Sequence, residues 1–226
     1  MMARLQHALF ILALALCAGA CGDDTSNGGA GSDDGNGSSV TDAGGTDDNT
    51  GQVCSPGCEG VGDGALSYPS GPYASGENVD GKVLPDLTFT TPEGDSLSFS
   101  DLRNAGGKTL MLISTTAGWC TACIEEQPKL KGFYNKYGCD GLEVLVAMFE
   151  DLNFNPAEAA NAKEWQLQYG LSFPVVADTA NALGDFYDTS AAPLNMIVDL
   201  CTMEVLYSGV GFDESAVTAI IESNLY

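Results

Sequence analysis

Thr109-Leu-Met-Leu-Ile-Ser-Thr-Thr-Ala-Gly-Trp119-Cys120-Thr-Ala-Cys123 decides how the rest of the chain is read. Thr109 to Ser114 is a continuous apolar run, the pattern of a strand covered on both faces. A helix is expected from about Cys120 to Tyr137. The two cysteines then fall on the first helical turn, where a disulfide closes with little backbone change. Cys120 sits at the helix N-terminus, where unpaired N–H groups and the helix dipole stabilise a thiolate. Thiolate is the species that attacks a disulfide, and a more buried Cys123 is placed to resolve the mixed disulfide. A lone C-x-x-C also occurs as half a zinc site or as a structural disulfide. The order strand, Trp, C-x-x-C, helix argues against both.

Working outward, Leu87–Thr91 and Ser96–Phe99 flank Pro92-Glu-Gly-Asp95 as a hairpin, with a helical turn at Asp101-Leu102. Leu142–Phe149 is a second buried strand. Asn155-Pro156 has the form of an N-cap with proline at N1, opening a helix to Tyr169. Phe173–Ala177 is a short strand or an extended entry, and Thr179 is expected to cap a short helix to Phe186. Asn195–Asp199 and Glu204–Ser208 form a hairpin, and Asp213 caps a last helix ending near Ser223. Strands alternating with helices, then a hairpin and a helix, indicate an α/β fold with a mixed central sheet flanked by helices.

The N-terminal part differs in kind. Arg4, the apolar run Ala8–Leu16 and the small residues before Cys21 have the order of a secretory signal, and the run is too short to span a bilayer. Gly19-Ala20-Cys21 resembles a bacterial lipobox, which implies cleavage after residue 20 and lipidation of Cys21. Ala18 stands where Leu is usual, Cys17 is a rival site, and ordinary secretory cleavage nearby is the alternative. Residues 21–53 form a linker with seven aspartates between Gly22 and Val53 and no basic residue, a composition that favours disorder. A flexible tether of that length spans roughly 30 Å. Residues 54–83 are expected to be an irregular arm carrying Cys54 and Cys58, and residues 84–226 the folded domain.

The formal charge is −23, from 8 basic and 31 acidic residues. So acidic a surface repels phosphate backbones, which excludes nucleic acid as a partner class, and disfavours peripheral binding to anionic headgroups. The single histidine, His7, lies in the signal. The mature chain then has none, which excludes Ser-His-Asp and Cys-His catalysis and histidine-ligated haem or metal sites. No cofactor and no metal are expected.

The segments Gly107–Ile113, Trp119–Cys123, Glu126, Pro128, Tyr169–Pro174, Pro193 and Ile197-Val-Asp199 occur in an order that resembles the TlpA/ResA-like branch of thioredoxin-fold thiol–disulfide oxidoreductases. The likeness covers roughly Leu84 to Ile221. It implies a thioredoxin-like fold and disulfide exchange with protein clients, in the reducing direction, fed by an electron donor of the cell envelope. Cys120 matches the attacking cysteine, Cys123 the resolving one and Glu126 a carboxylate beside the thiols. Spacing i, i+3 puts Glu126 on the helix face of Cys123. It is either that desolvated group or a solvated helix glutamate near Lys129. Pro128 matches a kink in the active-site helix, or else ends its first segment. Pro193, preceded by Ala192, matches a cis-proline that faces the C-x-x-C and pairs with the substrate backbone. Trp119 lines the rim, packs in the core, or both.

The sequence departs from that pattern in places. Ser114-Thr115-Thr116 replaces Asn-Phe-Trp, with Ser114 where thioredoxins carry a buried Asp. Asn195 stands where Thr is common, and Thr-Ala inside the motif is unusual.

Cys139 and Cys201 flank strands at the sheet end away from the motif, as a structural disulfide or as two separate thiols. Cys54 and Cys58 most simply pair across Pro56-Gly57. They would otherwise serve as a tethered dithiol or join Cys120 and Cys123 in a zinc site. Two other functions compete. A peroxidase of the peroxiredoxin type needs Pro-x-x-x-Thr-x-x-Cys, and Ile113 and Ala117 occupy those positions here. A non-enzymatic carrier would hold Cu(I) between two thiolates.

Overall fold

The computed structural model describes residues 67–225. The signal, Cys21, the linker, Cys54 and Cys58 lie outside them.

One seven-stranded mixed sheet is flanked by helices on both faces, as the sequence predicts. In chain order its elements are β1 Thr88–Thr90, β2 Ser96–Ser98, α1 Phe99–Asn104, β3 Leu110–Ala117, α2 Thr121–Tyr137, β4 Leu142–Glu150, α3 Ala159–Tyr169, β5 Val175–Ala177, β6 Leu194–Asp199, β7 Val205–Val210 and α4 Glu214–Asn224. The strand order is β2-β1-β5-β4-β3-β6-β7. β3, β4 and β5 run parallel, and the remaining pairs are antiparallel.

The apolar run in β3 is continuous because each face meets its own core. Met111 and Ile113 point to one side, with Phe89, Phe99, Leu102 and Leu183. Leu110 and Leu112 point to the other, against Leu130 and Phe133 of α2, Trp165 of α3 and Ile221 of α4. Successive side chains on a strand alternate faces, so an all-apolar strand is stable only when both are covered.

Local signals explain most of the boundaries. Ser98 and Asp101 form a capping box on α1, and the Asp213 side chain caps α4 through Ala216 N. Gly170 closes α3 at φ 59°, a left-handed conformation that costs glycine nothing. α2 continues through Pro128 to Tyr137, so the proline does not end it.

Two expected caps are corrected. α3 starts at Ala159, not at Pro156, under a Glu158–Asn161 capping box. Pro156 instead bridges back to Glu150, because the Asp151 carboxylate accepts from the N–H groups of Asn153 and Asn155 and folds the loop on itself. A 3-10 turn at Ala182–Phe186 is capped by Asp178, which accepts from Ala182 N and Leu183 N. The Thr179 hydroxyl donates to Ala157 O.

Arg103 is a buried cation held by carbonyls. Its guanidinium donates to Leu200 O at 3.0 Å, Cys201 O at 2.9 Å and Ser67 O at 3.0 Å. It ties α1 to the β6–β7 turn and to the start of the described chain. Arg103→Ala leaves the buried Leu200 carbonyl and the half-buried Cys201 carbonyl without this donor and should cost about 3 kcal/mol in urea unfolding. Arg103→Lys should recover only a small part, since an ammonium cannot reproduce the planar fork.

Candidate active site

β3 delivers its chain to the end of the sheet, and Gly118-Trp119 lead into α2. Cys120 is the N-cap residue of that helix, and its Sγ accepts from Cys123 N at 3.1 Å. No acidic residue stands in the first turn of α2 to oppose negative charge on that sulfur. Cys120 and Cys123 are joined by a disulfide. Both are buried, with Cys120 5% exposed and Cys123 fully enclosed, so Cys120 is the sulfur an incoming group can reach.

The two sulfurs pack with Ala117, Phe149, Trp119 and Ala192. Trp119 is half-buried. Its indole N–H donates to Glu150 Oε2 at 2.8 Å, and its ring stacks on Phe154 with centroids 5.3 Å apart. It therefore touches the core on one side and the rim on the other. Opposite, the Ala192–Pro193 peptide is cis, and the Ala192 carbonyl oxygen lies 3.9 Å from Cys120 Sγ.

Glu126 is 2% exposed, not a solvated helix glutamate. Ser114 Oγ donates to its Oε1 at 2.7 Å, and Asn195 Nδ2 donates to its Oε2 at 3.1 Å. Desolvation raises its pKa to about 7, against the lowering effect of those two hydrogen bonds and of Lys129. Ser114 serves either protonation state. Its hydroxyl donates to the carboxylate, or accepts from the acid and turns its own hydrogen to Thr115 O, 3.5 Å away.

Ser114, Thr115 and Asn195, which depart from the family pattern, are thus parts of the site. Ser114 and Asn195 face each other across the β3–β6 pairing and close on Glu126. Thr115 Oγ1 accepts from Leu194 N at 2.8 Å, which anchors the strand just after the cis-proline. Sequence reasoning singled these positions out as anomalies without finding their partners. The available signal was a polar residue inside a strand buried on both faces, which demands a hydrogen-bond partner.

The expected Cys139–Cys201 disulfide does not form. Cys201 is disulfide-bonded, but not to Cys139. β4 and β6 lie on opposite sides of β3. Their ends are two strand spacings apart, about 9.6 Å, beyond the roughly 7 Å a disulfide spans between Cα atoms. Among the described residues no group of three or more His, Cys, Asp or Glu side chains is placed to hold a metal ion, and no helix is long and apolar enough to cross a membrane.

A buried strand, a C-x-x-C at a helix start and a cis-proline strand, set at one end of a mixed sheet, define a thioredoxin-like protein. The chain belongs to the AhpC/TSA family, whose model matches residues 81–203. The resemblance to ResA-like proteins holds in comparison with known sequences. Thiol-disulfide oxidoreductase ResA of Bacillus thuringiensis (strain Al Hakam) is 28% identical over 119 residues, covering 53% of this chain and 63% of that protein. The ResA of Bacillus subtilis (strain 168) is 25% identical over 128 residues, covering 56% and 66%. The matched region is thus just under two thirds of the length of these curated relatives. Among solved structures, a Chlorobium tepidum protein provisionally described as the thiol:disulfide interchange protein DsbE superposes with a TM-score of 0.53 at 20% identity. It covers 68% of this chain and 99% of its own, and bears on the fold alone. A provisionally described thioredoxin from Neisseria meningitidis gives 0.51 at 25% identity, over 64% and 90%.

Proposed function

We propose that this chain is a thiol–disulfide oxidoreductase that reduces protein disulfides by dithiol exchange through Cys120 and Cys123. The observation that carries the reading is the placement of Cys120. It caps a 17-residue helix, takes the Cys123 N–H on its sulfur, and faces the cis Ala192–Pro193 peptide. In the reduced protein the Cys120 thiolate attacks one sulfur of a client disulfide. The client's S–S bond breaks, its other sulfur leaves as a thiol after taking a proton, and a mixed disulfide remains. Cys123 then gives its proton to Glu126 and attacks Cys120 Sγ. The second client sulfur leaves as a thiolate and takes the proton from Glu126, and the protein holds the disulfide. Two electrons have passed to the client, one of its two protons came from Cys123 and the other from solvent, which took the Cys120 proton on ionisation, and an external dithiol must restore the protein.

The strand before Cys120 supports this over a peroxidase. Ile113 and Ala117, fully buried in β3, occupy the places where that chemistry needs Pro and Thr. The N-terminal sequence supports export and a lipid anchor at Cys21, hence work in the cell envelope with a donor located there. The segments 21–53 and 54–83 then act as tether and arm for the domain.

The test is insulin reduction by the purified chain with dithiothreitol. Precipitation of the insulin B chain well ahead of the dithiothreitol control is expected. A rate equal to that control would overturn general disulfide reduction.

A further inference from the structure

The loop after β4 is more tightly built than a connection requires. Asp151 N donates to Asn155 O at 2.8 Å, and Ala157 N donates to Phe149 O at 3.0 Å. The Asp151 carboxylate accepts two backbone N–H groups and the Asn155 amide. This frame holds Phe154 at φ 62°, a left-handed conformation that is strained for a non-glycine residue. The frame also presents two large apolar side chains to solvent, with Leu152 69% and Phe154 65% exposed. Strain maintained in order to expose apolar surface is the mark of a recognition element.

The loop is fitted to the redox centre. A Cβ on Gly118 would come within 2.6 Å of Leu152 N, so the loop backbone rests directly on the residue two before Cys120. Phe154 stacks on Trp119. Behind Leu152, between the start of α2 and α3, opens a cleft of about 350 Å³. Ile124, Met148 and Trp165 supply its apolar lining. Asp151 and Glu164 supply carboxylates, and no lysine or arginine lines it.

We infer that this cleft docks the client polypeptide beside its disulfide, and that it selects an apolar side chain flanked by lysine or arginine. The apolar side chain enters over Met148 and Trp165, and the cation meets Asp151 and Glu164. Continuity with Gly118 and Trp119 then brings the neighbouring client disulfide to Cys120. This rests on the oxidoreductase reading above. In the exchange, the protein's two thiols become its disulfide and the client's disulfide becomes two thiols.

The test uses the reduced full chain and two synthetic disulfide peptides. They share one leucine and differ only in whether two lysines or two glutamates flank it. Second-order oxidation rates are compared with those for a small neutral disulfide. The wild type should favour the lysine peptide by about tenfold or more. A chain of charge −23 favours cations everywhere, so the local effect is isolated by two matched variants. Glu164→Lys should reduce the preference about tenfold. Glu204→Lys, the same charge change at the β6–β7 turn, should alter it less than twofold. Leu152→Ser should slow both peptides relative to the small disulfide. Equal shifts from Glu164→Lys and Glu204→Lys, or no preference in the wild type, would overturn the docking surface while leaving the oxidoreductase reading intact. Failure of the wild type to exchange with any of the three disulfides would overturn both.

Discussion

Cys120→Ser will abolish disulfide exchange, with a loss on the order of a thousandfold or more, because the attacking atom is gone and a serine hydroxyl at a helix N-terminus does not ionise near neutral pH. Cys123→Ser should behave differently. Its Cys120 remains at the N-cap of α2, where the N–H of residue 123 still points at the sulfur. The first attack proceeds and the second cannot. The expected product is a stable mixed disulfide between Cys120 and a client, visible as an added mass that dithiothreitol removes. Both substitutions are near-isosteric in a packed site, so thermal melts of the variants should lie close to that of the reduced wild type. Equal residual activity in the two variants would contradict the division of roles. Such a result would fit a structural disulfide, in which neither sulfur has precedence.

The parts legible in the sequence were those set by local pattern. A strand buried on both faces, a C-x-x-C at a helix start and a capped final helix each follow from neighbouring residues, and the sheet assembles around them. What was not legible depends on register. Ser114 and Asn195 are 81 positions apart and meet only because β6 runs antiparallel to β3 with those two residues opposite each other. Glu126 becomes a buried group through that meeting, so its environment could not be read from Lys129 one turn away. The false N-cap at Asn155-Pro156 has the same origin. Its residue types suit a helix start, but Asp151 holds the Asn155 N–H and Pro156 pairs with Glu150. Cys139 and Cys201 belong to the same end of the sheet, but β3 lies between their strands, a separation that the order of elements along the chain does not show.

Glu126→Gln will separate the chemical role of this carboxyl from its structural one. The substitution keeps the shape, and the hydrogen bonds can be rebuilt. An N–H of the introduced side-chain amide donates to Ser114 Oγ, whose hydrogen turns to Thr115 O, while the amide oxygen accepts from Asn195 Nδ2. What is lost is a group that exchanges a proton near pH 7. If Glu126 takes the proton from Cys123, the step that resolves the mixed disulfide slows by about a hundredfold. The first attack by Cys120 is much less affected, and the mixed disulfide accumulates. The limb of the pH–rate profile near 7 should vanish with it.

Stability should move the other way. The carboxyl is protonated more readily in the folded protein than in the unfolded chain, because burial raises its pKa from 4.5 to about 7. Below pH 4.5 both states hold the proton and the group costs nothing. Between 4.5 and 7 the unfolded chain ionises first, so wild-type stability falls as pH rises, by about 3 kcal/mol in all. Glu126→Gln removes that slope, and above pH 7 the variant should unfold at higher urea than the wild type. Urea midpoints at pH 5 and pH 8 for both proteins decide the point. A variant that is slower in resolution yet more stable at pH 8 identifies a carboxyl kept buried at a cost to the fold because the exchange needs its proton. A variant with parallel losses of rate and stability would reduce Glu126 to a packing residue.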